Sequence, residues 1–220
     1  MSGAAGGTEH SVGFVLAGGE SRRMGRDKAL LEFCGRPLAE NALGILRGAG
    51  LEARIAGARP ALERFAPVMA DAEPGQGPLG GICAALRTCR ARWAVFLPVD
   101  LPLLPASLVA FLLFRAEITG CAVNLTAVGG FAQTFPAVLD RAVLPGLEAE
   151  LRAGRRGCFE AFEAAAAGLG QAVAAVPVEL LAQSGQAEHP EGLPAALWFV
   201  NVNRPEDLRR AEGHLRHRFA

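Results

Sequence analysis

The sequence predicts an α/β domain built on a parallel sheet with helices on both faces. Short apolar runs alternate with stretches whose apolar residues recur at helical spacing, the pattern of strand–helix–strand units. The first run, residues 12–16, breaks abruptly at Ala17-Gly18-Gly19, and the most hydrophobic one, 93–99, ends at Asp100 between Pro98 and Pro102. Both look like buried strands that deliver a loop to one edge of a sheet.

The totals set the frame. At 220 residues, one domain with a substantial core is expected, spanning 12–220 behind a small, polar, glycine-rich tail at 1–11. That tail lacks the basic end and apolar centre of a signal peptide. Lys+Arg and Asp+Glu both number 22, so no global field favours nucleic acid or an anionic membrane, and phosphate attraction has to be local. No apolar run approaches the ~20 residues of a membrane span. Five scattered cysteines without a C-x-x-C pair predict reduced, mostly buried thiols in a cytoplasmic protein and argue against zinc.

Residues 14–31 read FVLAGGESRRMGRDKALL. Gly18 and Gly19 allow positive φ and carry no side chain, so successive N–H groups can converge on phosphate oxygens. Arg22, Arg23, Arg26 and Lys28 add fixed positive charge, Lys28 as a compact point. The spacing is neither G-x-G-x-x-G nor a Walker A loop. An ordinary strand–loop–helix connection with solvated arginines accounts for the same residues.

Pro37 opens a helix carrying Leu38, Ala42, Ile45 and Leu46, closed by Gly48 and Gly50. A second strand follows at 53–56, a small helix near 61–65, and a third strand at 68–70 ending at Asp71. Residues 73–81, EPGQGPLGG, are too rich in Gly and Pro for regular structure. They predict a loop, with a helix over 82–89 pointing its N-terminus at whatever the loop surrounds. The strand over 93–99 sets Asp100 at the carboxyl edge of the sheet, where open α/β folds bind ligands. A carboxylate facing a triphosphate there calls for a divalent cation, since anion against anion repels. A cap on the turn over 101–105 is the plainer use of Asp100.

An apolar helix is expected over 106–116, and the runs 121–128 and 131–139 flank the hairpin signal Gly129-Gly130. Residues 140–153 are amphipathic, with Val143, Leu144, Leu147 and Leu151 on one face. The basic loop Gly154-Arg155-Arg156-Gly157 suits a solvated helix end or a phosphate contact equally. A helix over 159–167, a strand over 172–176, an exposed loop over 183–195 and a last strand over 197–200 complete the alternation. Asn203 reads as an N-cap with Glu206 three residues on, a capping box ahead of the stripe Leu208, Ala211, Leu215 and Phe219. Capping leaves Asn201 unexplained.

Four stretches in this order resemble the molybdenum cofactor guanylyltransferases, the MobA family of nucleotidyltransferases. They are LAGGESRRMGRDKALL at 16–31, GPLGG at 77–81, LPVDLPLLP at 97–105 and NVNRPEDL at 201–208. The resemblance implies a three-layer α/β/α, Rossmann-like nucleotidyltransferase fold with a mixed, mostly parallel sheet. It implies that Leu16, Ala17, Gly18, Gly19, Lys28, Asp71, Gly77, Pro78, Leu79 and Asp100 bind the nucleotide. It further implies that Lys28, Arg23 and Asp100 are catalytic, that Asp100 also holds Mg²⁺, and that Gln133, Asn201 and Asn203 face the acceptor. Val99 replaces the family's usual Cys, Thr134 the proline after the glutamine, and Arg204 a Thr.

The activity implied is attack by the terminal phosphate of molybdopterin on the α-phosphorus of GTP, releasing pyrophosphate. Partners are GTP and molybdopterin or molybdenum cofactor, with apo-molybdoenzymes or their chaperones downstream. Asp71 matches an aspartate that reads guanine, whereas Ala56, or Gly57 with a one-residue shift, stands where the family has a base-reading Asn. GTP is therefore expected over CTP, and Asp27-Lys28 favours the same branch. Two alternatives stand beside this reading: a transferase using CTP or another phosphate acceptor, and a non-catalytic nucleotide- or cofactor-binding chaperone. Lys28 together with Asp100 argues against the chaperone, which needs no magnesium carboxylate.

Overall fold

A seven-stranded sheet is laid around β1 (Ser11–Leu16). The computed structural model describes residues 10–17, 27–57, 60–69 and 75–216. A separate two-stranded hairpin, β2 (Glu32–Phe33) with β3 (Arg36–Pro37), follows β1. β1 pairs in parallel with β4 (Ala53–Ala56), and β5 (Val68–Met69) extends that half beyond β4. On its other side β1 pairs in parallel with β6 (Trp93–Pro98). The antiparallel hairpin β7 (Val123–Val128) and β8 (Phe131–Asp140) comes next, with β8 against β6, and β9 (Ala174–Pro177) closes the edge parallel to β7. The order β5-β4-β1-β6-β8-β7-β9 is the mixed, mostly parallel sheet expected.

Helices α1 (Leu38–Gly48), α3 (Ala106–Thr119), α6 (Val178–Gln183), α7 (Ala195–Trp198) and α8 (Pro205–Arg216) cover one face. The other face carries α2 (Gly77–Thr88), α4 (Leu144–Arg152) and α5 (Cys158–Gly168). Both faces being buried, the central strands read as continuous apolar runs rather than alternating ones. Trp93, Val95 and Leu97 of β6 enter one core while Ala94 and Phe96 enter the other. Phe14 lies opposite Phe96 in the β1–β6 register, and their rings stack with centroids 5.4 Å apart. The hairpin turn takes positive φ at both Gly129 (56°) and Gly130 (84°), the twist that a two-residue connection needs.

Several sequence expectations are corrected. α2 begins at Gly77, not at 82, so GPLGG is a helix start rather than a loop. Gly77, at φ 68°, turns the chain, and Pro78 occupies the first turn, where its fixed φ suits and its missing N–H goes unneeded. The run 197–200 is not a strand. Residues Ala195–Trp198 form a helical turn, with buried Trp198 donating from Nε1 to Leu193 O at 2.9 Å. A run this short fits a strand or a buried helical turn equally, and packing of the large indole decides it.

Helix α6 fills 178–183, where no helix was expected, and within the loop 183–195 Ala187 and Leu193 are buried. Asp140 ends β8 instead of opening a helix, and its Oδ1 accepts from Ala142 N at 2.9 Å ahead of α4. Of the five thiols only Cys83 and Cys89 are buried. Cys121 and Cys158 are half-buried and Cys34 is exposed.

Candidate active site

The carboxyl edges of β1 and β6 lie side by side, and the chain segments leaving them converge there. Leu16 and Ala17 are buried at the end of β1, and Ala17 N donates to Ala56 O at 3.2 Å, so only their main chain can face a ligand. Lys28 sits on a short 3-10 turn, Lys28–Leu30, whose start is capped by Asp27: its Oδ1 accepts from Ala29 N at 3.1 Å. Asp100 follows the end of β6 in a turn fixed from two sides. Val202 N donates to Asp100 O at 2.9 Å, and Asn41 Nδ2 donates to Pro102 O at 3.0 Å.

The Lys28, Asp100 and Asn203 segments meet at one ammonium. Lys28 Nζ donates to Asp100 Oδ2 at 2.9 Å and to Asn203 Oδ1 at 2.8 Å. The Lys28 and Asp100 side chains are 17% and 22% exposed, enough for water and ligand to compete for them. A cation held between a carboxylate and an amide oxygen, at the edge where such sheets bind ligands, is a site prepared for polyanion and counter-ion together.

Asn203 is not the side-chain cap that the capping-box reading expected. Asp207 takes that work: its Oδ2 accepts from Asn203 N at 2.9 Å and Arg204 N at 2.8 Å. Those bonds, first that from Asn203, hold the Asp207 carboxyl below its usual range. Asn203 Oδ1 is thereby free to turn to Lys28. An acid at the fourth position competes with one at the third for the same exposed amides, and spacing alone does not choose between Glu206 and Asp207.

Among the remaining candidates, Gly77 and Pro78 are exposed at the start of α2, whereas the Leu79 side chain is buried in the core. Asn201 is exposed next to Val202. Gln133 lies on the part of β8 that runs past its pairing with β6 (Phe96 opposite Ala137), and its Nε2 donates to Phe131 O at 3.0 Å, back onto its own hairpin. Gly18, Gly19, Arg23 and Asp71 lie outside the described residues.

The basic loop after α4 divides by residue. Arg155 forks onto Glu150, with Nη2 2.6 Å from Oε1, and that hydrogen-bonded guanidinium lowers the Glu150 pKa. Arg156 Nη1 instead donates to Gly75 O at 3.3 Å, two residues ahead of Gly77. The sequence marks Arg156 only through its loop, as a solvated helix end or a phosphate contact alike.

Other chemistries find little support. Burial pushes the Cys83 thiol up to about 11 and the Cys158 thiol up to about 12, so neither supplies a thiolate near neutral pH. Among the described residues no group of three or more His, Cys, Asp or Glu could cage a metal. No described helix is long and apolar enough to cross a membrane.

Comparison with known proteins agrees with this geometry. The family model for the MobA-like NTP transferase domain matches residues 13–177. A molybdenum cofactor guanylyltransferase of Cereibacter sphaeroides is 38% identical over 212 residues, 93% of this chain and 96% of the relative. One from Xanthomonas euvesicatoria pv. vesicatoria is 47% identical over 108 residues, 48% of this chain and 55% of the relative. The crystal structure of molybdopterin-guanine dinucleotide biosynthesis protein A from Archaeoglobus fulgidus superposes with a TM-score of 0.72 at 25% identity, covering 91% of this chain and 96% of that one.

Proposed function

We propose, because this chain belongs to the MobA-like NTP transferase family, that it is a molybdenum cofactor guanylyltransferase. It transfers GMP from GTP to the terminal phosphate of molybdopterin and releases pyrophosphate. The observation that carries this reading is the convergence of Lys28, Asp100 and Asn203 on one point at the carboxyl edge of the sheet.

An anionic nucleophile meeting an anionic electrophile leaves the protein little covalent work, so positioning and charge neutralisation carry most of the rate. The Lys28 ammonium moves from Asp100 to the triphosphate as the nucleotide enters, joined by Arg23 and by main-chain amides of Gly18 and Gly19. Asp100 Oδ2 and Asn203 Oδ1, which already embrace one cation, are hard oxygen donors that would hold Mg²⁺. Bound there, Mg²⁺ would draw charge off the α-phosphate and the departing pyrophosphate. Gly77 and Pro78 flank the nucleotide, and Asn201, Asn203 and Gln133 face the acceptor.

Guanine recognition falls to Asp71. At the other base-reading position Gly57 offers no side chain, and its N–H already donates to Met69 O at 2.9 Å. The guanylyltransferase relatives support GTP over CTP. Residues 12–220 act as one transferase unit, and the free cysteines suit the reducing cytoplasm, where apo-molybdoenzymes or their chaperones receive the product.

The test is incubation of the purified chain with Mg²⁺, molybdopterin and each nucleoside triphosphate in turn, reading pyrophosphate. Release with GTP alone is expected. Faster release with CTP would transfer the chain to the cytidylyl branch. Cofactor binding without pyrophosphate from any nucleotide would make it a chaperone.

A further inference from the structure

A cleft of about 1120 Å³ opens at the end of the sheet opposite the Lys28 cluster. It is lined by His10 and Val12 at the start of β1, Glu52 and Arg54 at the start of β4, and Ala91 and Arg92 just before β6. The nucleotide site uses the carboxyl ends of the same strands, so this space belongs to a different part of the molecule.

Four arginines line the cleft: Arg54, Arg90, Arg92 and Arg141. Two are neutralised. Arg54 Nε donates to Glu52 Oε1 at 2.9 Å, and Arg92 Nε donates to Asp140 Oδ2 at 2.9 Å. Arg90 and Arg141 are exposed and meet no carboxylate among the described residues. The whole chain has a formal net charge of zero, so this surplus is local.

The frame beneath the arginines is stiff. Arg141 N donates to Arg92 O at 2.8 Å, tying the end of β8 to the start of β6, and Trp93 N donates to His10 O at 3.0 Å. The Arg92 guanidinium rests 4.9 Å over the buried Trp93 ring. Uncompensated guanidinium groups on fixed backbone recognise phosphate oxygens in a planar, paired manner. Apolar side chains of Val12, Ala91, Leu144 and Pro145 line the same space, suiting an uncharged body attached to the phosphate. Concavity and size match a small ligand rather than a protein surface.

We propose that this cleft is a second anion site, binding a small phosphorylated ligand through Arg90 and Arg141. The proposal does not rest on the transfer reaction. It is tested by titrating inorganic pyrophosphate into the ¹⁵N-labelled full-length chain and following backbone amides by NMR. Because the Lys28 site should also bind pyrophosphate, the titration is run in Lys28→Ala as well.

Saturable shifts at residues 90–92 and 140–142 are expected in both proteins. Arg90→Gln/Arg141→Gln should weaken them tenfold or more, with Arg90→Lys/Arg141→Lys falling between. If the glutamine variant misfolds, the lysine variant reads the same dependence. Shifts confined to the Lys28 side, affinity unchanged by either double variant, or equal binding of sulfate at matched ionic strength would each overturn the assignment. If shifts persist at 90–92 while the nucleotide assay fails, the proposed function falls and the cleft stands.

Discussion

Lys28 and Asp100, 72 positions apart in the chain, meet in a 2.9 Å ion pair whose ammonium is shared with Asn203. In the resting molecule the residue proposed to grip phosphate is thus parked on the residue proposed to hold the metal. Both side chains keep some exposure, so the pair adds only about 0–1 kcal/mol to stability. Lys28→Ala should therefore lower turnover by about 10²-fold or more, the scale of losing one preorganised donor, while the melting temperature barely changes. Pyrophosphate release and a thermal melt on the same sample check both halves; normal turnover in the variant would remove Lys28 from the mechanism.

Asn203 and Asp207 should separate cleanly. Asn203→Ala deletes an acceptor for Lys28 but leaves the main-chain bonds to Asp207, so activity should fall by roughly tenfold, the scale of one hydrogen bond to a charged group, at unchanged stability. Asp207→Ala uncaps α8 and should lower the melting temperature at neutral pH. Because folding depresses the Asp207 pKa, its contribution is complete above the unfolded value of about 4 and disappears as pH falls through the lower folded value. Melts of wild type and variant should converge in acid.

Two helical glycines should respond in opposite directions to alanine. Gly44 is exposed inside α1 and an added methyl meets nothing within 4 Å, so Gly44→Ala should stabilise by about 0.5–1 kcal/mol through helix propensity. In α4 the Cβ of Gly146→Ala would lie 2.8 Å from both Cα and Cβ of Ala165 in α5. Backbone cannot yield as a flexible side chain does, and a loss of about 1–3 kcal/mol is expected. Denaturant midpoints decide both.

Thr126 of β7 is fully buried and its hydroxyl has no hydrogen-bond partner among the described residues. Thr126→Val keeps the branched shape and removes that uncompensated group, so stability should rise by about 1 kcal/mol. A lower melting temperature would show that the hydroxyl is satisfied after all.

The strands flanking the site were the most readable part of the molecule. Residues 53–56 and the hairpin about Gly129-Gly130 form where expected, because apolar runs bounded by glycine admit few alternatives. Asp100 could be placed at the carboxyl edge because β6 is apolar to its last residues and proline stops it. What stayed hidden depended on distance. Nothing local in 201–208 says that Asn203 turns to a lysine 175 positions earlier, nor that Asp207 does the capping. Likewise GPLGG looks like a loop by composition, and only the conformation of Gly77 ahead of Pro78 makes it a helix start.

The bond from Val202 N to Asp100 O, with the neighbouring reach of Asn203, pins a late stretch of chain onto the central crossover. That stretch, 201–208, is one of the four that resemble the family, and it lies past the residues 13–177 that the family model matches. The molecule is in this sense a vice, one jaw on the central strands and the other on 201–208, closing together on Asp100. Exchanging residues 178–216 for those of a relative with a different acceptor, provided an amide still reaches Asp100 O, would re-tool the second jaw while the first keeps its grip.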